Sequence, residues 1–205
     1  MEHLAAGHGK FDRVAISSVS DIDLSILDAA GRLSRGSVIM LDASTPMPVD
    51  ISAYSTRNTL GADRIAALVG ARGLTAGHET LVVDFGTAIT YDLLSADGKF
   101  EGGVISPGIL MRLKAMHAFT SRLPVVDPDM EYHRLGRSTA QSMLAGAVGG
   151  AVAELTYHHS MLPAGGMVVA TGGDAAIVLR HIGFEVKVAE DLVLHGLKDI
   201  IEYNS

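Results

Sequence analysis

Residues 81–94 read LVVDFGTAITYDLL. Two apolar runs, Leu81–Val83 and Tyr91–Leu94, enclose Asp84, the pair Gly86-Thr87 and Thr90. Short apolar runs bounded by turn residues read as buried strands. Thr80–Leu94 is therefore predicted to form two strands around a Gly-Thr-Ala turn. Asp and Gly are ordinary turn residues, and a plain hairpin would account for them. Asp84, however, stands where a buried strand ends, and an unpaired carboxylate there is costly unless it meets a cation. Gly86-Thr87 would bring backbone N–H groups and a hydroxyl into the same space, a small nest suited to phosphate.

Outward from this hairpin, strands and helices alternate. On the N-terminal side, Phe11–Val19 is predicted as a strand, Ser25–Gly36 as a helix and Ser37–Asp42 as a second strand. Ala43–Thr59, with Pro46, Pro48 and Asn58, reads as a long loop. Gly61–Arg72 carries Ile65, Leu68 and Val69 at helical spacing. On the C-terminal side, Gly98–Ile105 is expected as a strand bent by Gly102-Gly103. Leu110–Thr120 and Thr139–His159 follow as helices. Met167–Ala170 is a strand running into Thr171-Gly172-Gly173-Asp174, followed by a helix over Ala175–Ile182, a short strand over Glu185–Val188 and a last helix over Asp191–Glu202. This alternation implies an α/β fold.

Composition narrows the chemistry. The chain has 205 residues, 48% of them hydrophobic, enough to bury a sizeable core. A formal net charge of −7 argues against a protein that tracks nucleic-acid phosphates. No cysteine is present, which removes disulfides, thiolate nucleophiles and Cys-ligated metals and fits a reducing compartment. No apolar run reaches the ~18 residues of a membrane span, and MEHLAAGHGKFDR has no apolar secretory centre. The expectation is a soluble cytoplasmic protein.

Three further motifs each allow two readings. Gly61-Ala62-Asp63-Arg64 opens a helix, where Asp is favoured in the first turn and Arg64 would be solvated. Alternatively, Asp63 is a general base for a hydroxyl, with Arg64 binding an anion or holding Asp63. On these residues alone the plain helix start is favoured. Glu101-Gly102-Gly103-Val104-Ile105-Ser106-Pro107-Gly108 is a bent strand with a Pro-Gly turn, and glycines this dense also admit a ligand close to the backbone. Thr171-Gly172-Gly173-Asp174 has the strand–turn–helix geometry of nucleotide sites and of common tight turns, without dinucleotide or P-loop spacing. His117, His158, His159 and His195 show no metal-ligand spacing and read as solvated or core residues.

Taken together, Tyr54, LGADR (60–64), VDFGTAITYD (83–92), EGGVISPG (101–108), LGRSTAQSMLAG (135–146), ATGGDA (170–175) and DLVLHGL (191–197) resemble, in order and spacing, the type III pantothenate kinases of the sugar kinase/heat-shock chaperone/actin superfamily. The resemblance runs from FDRVAISSV over nearly the whole chain. It implies two ribonuclease-H-like α/β halves, residues 1–79 joined by the closing helix and residues 80–205. It also implies ATP-dependent phosphorylation of the pantothenate primary hydroxyl, the first step towards coenzyme A, in a cytoplasmic homodimer with substrate sites at the subunit interface and no nucleic-acid or membrane partner. By position, Asp63 resembles the catalytic base. Tyr54, Gly61, Ala62, Asp63, Arg64 and Thr139 resemble substrate-binding residues. Gly86 and Thr87 resemble ATP contacts, and Asp84 resembles the ligand of a monovalent cation, K+ or NH4+, beside Mg2+ and ATP.

One part of the family pattern has no counterpart here. An Asp-x-Gly-Asn-Thr turn that grips ATP phosphates opens the family's first half, and nothing of the kind precedes FDRVAISSV. The expectation is a first half that is N-terminally incomplete. Two readings stay open: a kinase whose chain is shortened, or a non-catalytic relative that binds nucleotide or pantothenate.

Overall fold

A computed structural model of the chain describes residues 9–18, 23–75 and 77–205. Val19, the predicted end of the first strand, lies outside them. The chain divides into two compact units. One comprises Gly77–Leu94 and Gly102–Glu190; the other takes in the described residues of Met1–Ala76, with Ser95–Glu101 and Asp191–Ser205.

The unit that carries the opening hairpin is built on a mixed sheet of five strands: β3 (Thr80–Phe85), β4 (Ala88–Leu94), β5 (Phe100–Pro107), β6 (Met167–Thr171) and β7 (Lys187–Val188). They lie in the order β5-β4-β3-β6-β7. β3 runs antiparallel to β4 and parallel to β6, and β6 is parallel to β7. Three consecutive strands in a meander followed by two parallel strands form the ribonuclease-H-like α/β half that the sequence leads one to expect. β3 is central because it is apolar along nearly its whole length, as a strand covered on both faces must be. Leu81, Val83 and Phe85 join Ile89 and Tyr91 in the core, against Ile109 and Leu113 of α3 (Ile109–Ala118) and Leu144, Val148, Ala151 and Leu155 of α4 (Thr139–His159). The last four positions recur every three to four residues, one face of a helix.

In the other unit, β1 (Val14–Ile16) and β2 (Val38–Met40) pair in parallel, joined by α1 (Leu24–Leu33). α1 starts where the Asp23 side chain accepts a hydrogen bond from the Ser25 N–H at 2.8 Å. α2 (Ala62–Leu74) lies against α6 (Leu192–Tyr203) at backbone contact distance. A Cβ on Gly196 would stand 1.8 Å from the Ala66 carbonyl oxygen, and one on Gly70 would stand 2.5 Å from that of Leu192. The glycine of DLVLHGL is thus a helix-packing residue.

Several predicted elements come out shorter, among them the second strand, expected over Ser37–Asp42 and formed only over Val38–Met40. The first strand pairs only over Val14–Ile16, because β2 offers just three partners, and Phe11 makes an isolated bridge to Ser34. The helix expected over Ala175–Ile182 ends at Leu179 (α5, Ala175–Leu179), and the strand expected over Glu185–Val188 pairs only at Lys187 and Val188. Conversely, the expected loop over Ala43–Thr59 contains a 3-10 turn at Arg57–Thr59. His158 packs on Tyr91 (4.5 Å between ring centroids) and His159 stacks on Phe184 (3.7 Å), so both serve as packing rings. No described helix is long and apolar enough to cross a membrane.

Gly196→Ala should lower stability by about 3 kcal/mol, the upper range for forced overpacking, because backbone rather than a flexible side chain blocks the added methyl. Urea unfolding with an unchanged m-value checks this.

Candidate active site

Three turns converge at the C-terminal end of β3. The first is Gly86-Thr87, which reverses the chain into β4 and is closed by the Gly86 N–H donating to the Ala88 carbonyl at 3.1 Å. The second is the Pro107-Gly108 turn at the end of β5. Its Gly108 N–H donates to the Thr87 carbonyl at 3.0 Å, and a Cβ there would stand 2.3 Å from the Gly86 oxygen. The third is the turn after β6. Gly172 adopts φ +93°, and a Cβ on it would stand 2.5 Å from both the Asp84 Oδ1 and the Phe85 carbonyl oxygen. The Asp174 N–H then donates to Phe85 at 3.0 Å. Only glycine permits these approaches at 108 and 172, and at 172 only glycine adopts the backbone angle freely.

The convergence fixes Asp84, Gly86 and Thr87 together. Asp84 is half-buried, in register with Thr90 on β4 and Thr171 on β6. Beside it opens a cleft of about 400 Å³. Gly86 and Thr87 form one wall, Leu110, Met111 and Lys114 of α3 another, and Gly173 and Asp174 a third. A cleft at the carboxyl ends of strands is where α/β sheets bind ligands. The Asp174 carboxyl is pushed above its usual range, first by burial and then by the charge of Asp129. Lys114 brings a cation to the same cleft.

The Gly61–Arg64 segment lies in the other unit. Gly61 is the N-cap of α2, and its carbonyl accepts from the Ile65 N–H at 3.1 Å. Asp63, half-buried in the first turn, accepts the Arg64 N–H on Oδ1 at 2.8 Å. Ala62 is buried. Arg64, expected to be solvated in a plain helix start, is only 7% exposed. Its guanidinium carbon lies 5.9 Å from the Tyr54 ring centroid and 5.7 Å from that of Phe100, and the two rings are 5.4 Å apart. Arg is suited to this burial because its planar cation is weakly hydrated and packs on aromatic faces. Arg64 therefore ties Tyr54 to the Asp63 turn.

Thr139 is the first residue of α4, exposed, just after the N-cap Ser138. The Ser138 Oγ accepts from the Gln141 N–H at 3.3 Å and the Gln141 side-chain oxygen accepts from the Arg137 N–H at 2.9 Å, a variant of the capping box. Thr139 does not line the Thr87 cleft. Sequence reasoning missed Lys114, Leu110 and Met111. The signal available was their spacing, since Lys114 lies four residues after Leu110 and three after Met111, the separations that make helix side chains neighbours. Phe100 carried no such signal, since it meets Arg64 only through the fold.

A family model described as type III pantothenate kinase matches residues 1–159. The type III pantothenate kinase of Porphyromonas gingivalis is 41% identical over 210 residues, spanning 100% of this chain and 84% of that protein. That of Phocaeicola vulgatus is 38% identical over 195 residues, spanning 94% and 80% respectively. Among solved structures, a conserved putative Baf family transcriptional activator from Campylobacter jejuni superposes with a TM-score of 0.68 at 22% identity, over 99% of this chain and 87% of that one, a likeness of fold.

Because the Asp174 carboxyl is harder to ionise folded than unfolded, its stabilising contribution is complete below the unfolded value of 3.8 and is lost as pH rises through the folded value. Asp174→Asn should therefore raise the ligand-free melting temperature at pH 7, with the difference closing as pH falls below about 4. Melting curves of both proteins across that range check it.

Proposed function

Because this chain belongs to the type III pantothenate kinase family, and so carries out the ATP-dependent phosphorylation of pantothenate that begins coenzyme A biosynthesis, we propose how its residues divide the work. The three glycine-dependent turns around Asp84, Gly86 and Thr87 carry this reading. They form a closely packed corner beside a cleft of about 400 Å³ at the carboxyl end of the strands, the kind of place where α/β sheets bind a ligand.

Phosphoryl transfer asks little covalent chemistry of a protein. It asks that the nucleophile be positioned and the phosphate charge be met by fixed groups. Gly86 and Thr87 contact the ATP phosphates. Asp84 is the ligand of a monovalent cation, K+ or NH4+. A carboxylate oxygen that approaches the Gly172 backbone with no side chain between them is a hard donor of the kind such ions take. Once held there, such a cation would, together with the Mg2+ of the nucleotide, supply positive charge to the phosphates. The substrate segment is Tyr54 with Gly61, Ala62, Asp63 and Arg64, and Thr139 is a further substrate residue by resemblance. Asp63 is the base. Its Oδ1 is engaged by the Arg64 N–H, which leaves Oδ2 to accept the hydroxyl proton. The pantothenate oxygen bonds to the γ-phosphorus, the bond from that phosphorus to the β,γ-bridging oxygen breaks, and ADP departs. Buried against Tyr54 and Phe100, Arg64 holds this turn in place.

The working enzyme is a cytoplasmic homodimer built from two ribonuclease-H-like halves, residues 1–79 with the closing helix and residues 80–205. The dimer is what the resemblance to the family implies.

A coupled ADP-release assay on the 205-residue chain with MgATP and KCl should give a signal that depends on pantothenate. Asp63→Asn should reduce kcat by about 10³-fold or more while the dimer survives in sizing experiments; retained turnover would remove Asp63 as the base. Asp84→Ala should raise the MgATP KM and abolish the stimulation by K+ together. Persistence of that stimulation would assign the cation elsewhere.

A further inference from the structure

We propose that Arg112 and Glu154 are positioning residues for nucleotide binding, acting through the Pro107-Gly108 turn on Thr87. The proposal rests on the reading of Gly86-Thr87 as the phosphate loop.

Arg112 lies in the first turn of α3, with its side chain 17% exposed. Its Nε donates to the Pro107 carbonyl at 2.7 Å, and its Nη2 donates to the Ser106 Oγ at 2.9 Å and to Glu154 Oε2 at 2.6 Å. Its backbone N–H donates to the Gly108 carbonyl at 2.9 Å. One residue thus holds three successive positions, Ser106, Pro107 and Gly108. The same Gly108 closes on the phosphate loop, with its N–H on the Thr87 carbonyl and its missing side chain making room for the Gly86 and Thr87 oxygens. A shift of this turn by a few tenths of an ångström would move Thr87 with it.

Glu154, on α4, gives the guanidinium its orientation. It also accepts the Tyr91 hydroxyl at 3.4 Å, so that β4, α3 and α4 share one polar junction. The sequence leaves room for this junction at Gly150, where a Cβ would come within 2.9 Å of Arg112 Nη1. Charge-assisted bonds from a planar guanidinium are directional. An apolar side chain could fill the same space, but it could not hold a turn at three points. The geometry therefore points to precision at Thr87 as the purpose of the pair.

The test is steady-state kinetics with MgATP and pantothenate varied separately on Arg112→Lys, Glu154→Gln, the double variant and Gly150→Ala. Lys keeps the charge and loses the fork. Arg112→Lys should raise the MgATP KM about tenfold, roughly the strength of one charge-assisted bond, with the pantothenate KM within about twofold. Glu154→Gln and Gly150→Ala should act in the same direction, and the double variant should be less than additive. Should Arg112→Lys fail to fold, Glu154→Gln decides the matter by the same readout. A fall in melting temperature with both KM values unchanged, or an equal rise in both, would overturn the proposal, since either is what a merely structural pair would give. Thr87→Ala separates the two layers. If it too leaves the MgATP KM unchanged, the phosphate loop is wrongly assigned and the inference falls with it. If Thr87→Ala raises that KM and the Arg112 and Glu154 variants do not, only the positioning role is lost.

Discussion

Backbone meets backbone at the end of β3, and the rest of the second unit is arranged around that contact. Gly108 and Gly172 bring their main chains against Gly86, Thr87, Asp84 and Phe85 at distances no side chain would allow. Glycine is expensive in conformational entropy, so its use at both turns signals a steric demand that no other residue meets. The consequence is a corner in which a hydroxyl and a carboxylate are fixed by the packing of β3, β5 and β6 rather than by loop conformation. A site that neutralises phosphate charge works best when its dipoles need no rearrangement on binding.

The Arg64 turn applies the same logic with different means. A helix start leaves its first N–H groups unpaired, and one of them, on Arg64, is taken up by the carboxylate of Asp63. The Arg64 side chain turns inward onto Tyr54 and Phe100. What looks in the sequence like a charged pair facing solvent is an aromatic-supported anchor with one half-buried carboxylate beside it. Burying a guanidinium is tolerable when its faces lie on π-systems, and the burial in turn removes rotamer freedom from the segment that carries Asp63.

Much of the fold was legible because its signals are local. The apolar run of β3, the Gly-Thr turn, the small-residue stretch of α4 and the order of the motifs all depend on short-range pattern, and α4 spans Thr139–His159 as that stretch indicates. The elements that shrank are those whose extent is set by a partner. β1 pairs only over the three residues that β2 offers, and β7 pairs with only two of the five residues of β6. Within the candidate site, Asp63, Asp84, Gly86 and Thr87 could be named from motif and residue chemistry. Lys114 sat unmarked in a helix, and Arg112 and Glu154, 42 residues apart, gave no sign that they meet.

The sequence by itself determined the α/β class, the family and the candidate chemistry, because residue type, turn-forming glycines and motif order are properties of the chain. Only the tertiary structure decided that Arg64 is buried, that Gly108, Gly172 and Gly196 are required by backbone contact, and that one guanidinium ties the Pro107-Gly108 turn to α4. These facts depend on distances between residues remote in sequence. Such distances are set by how helices and strands pack, and no local pattern encodes them.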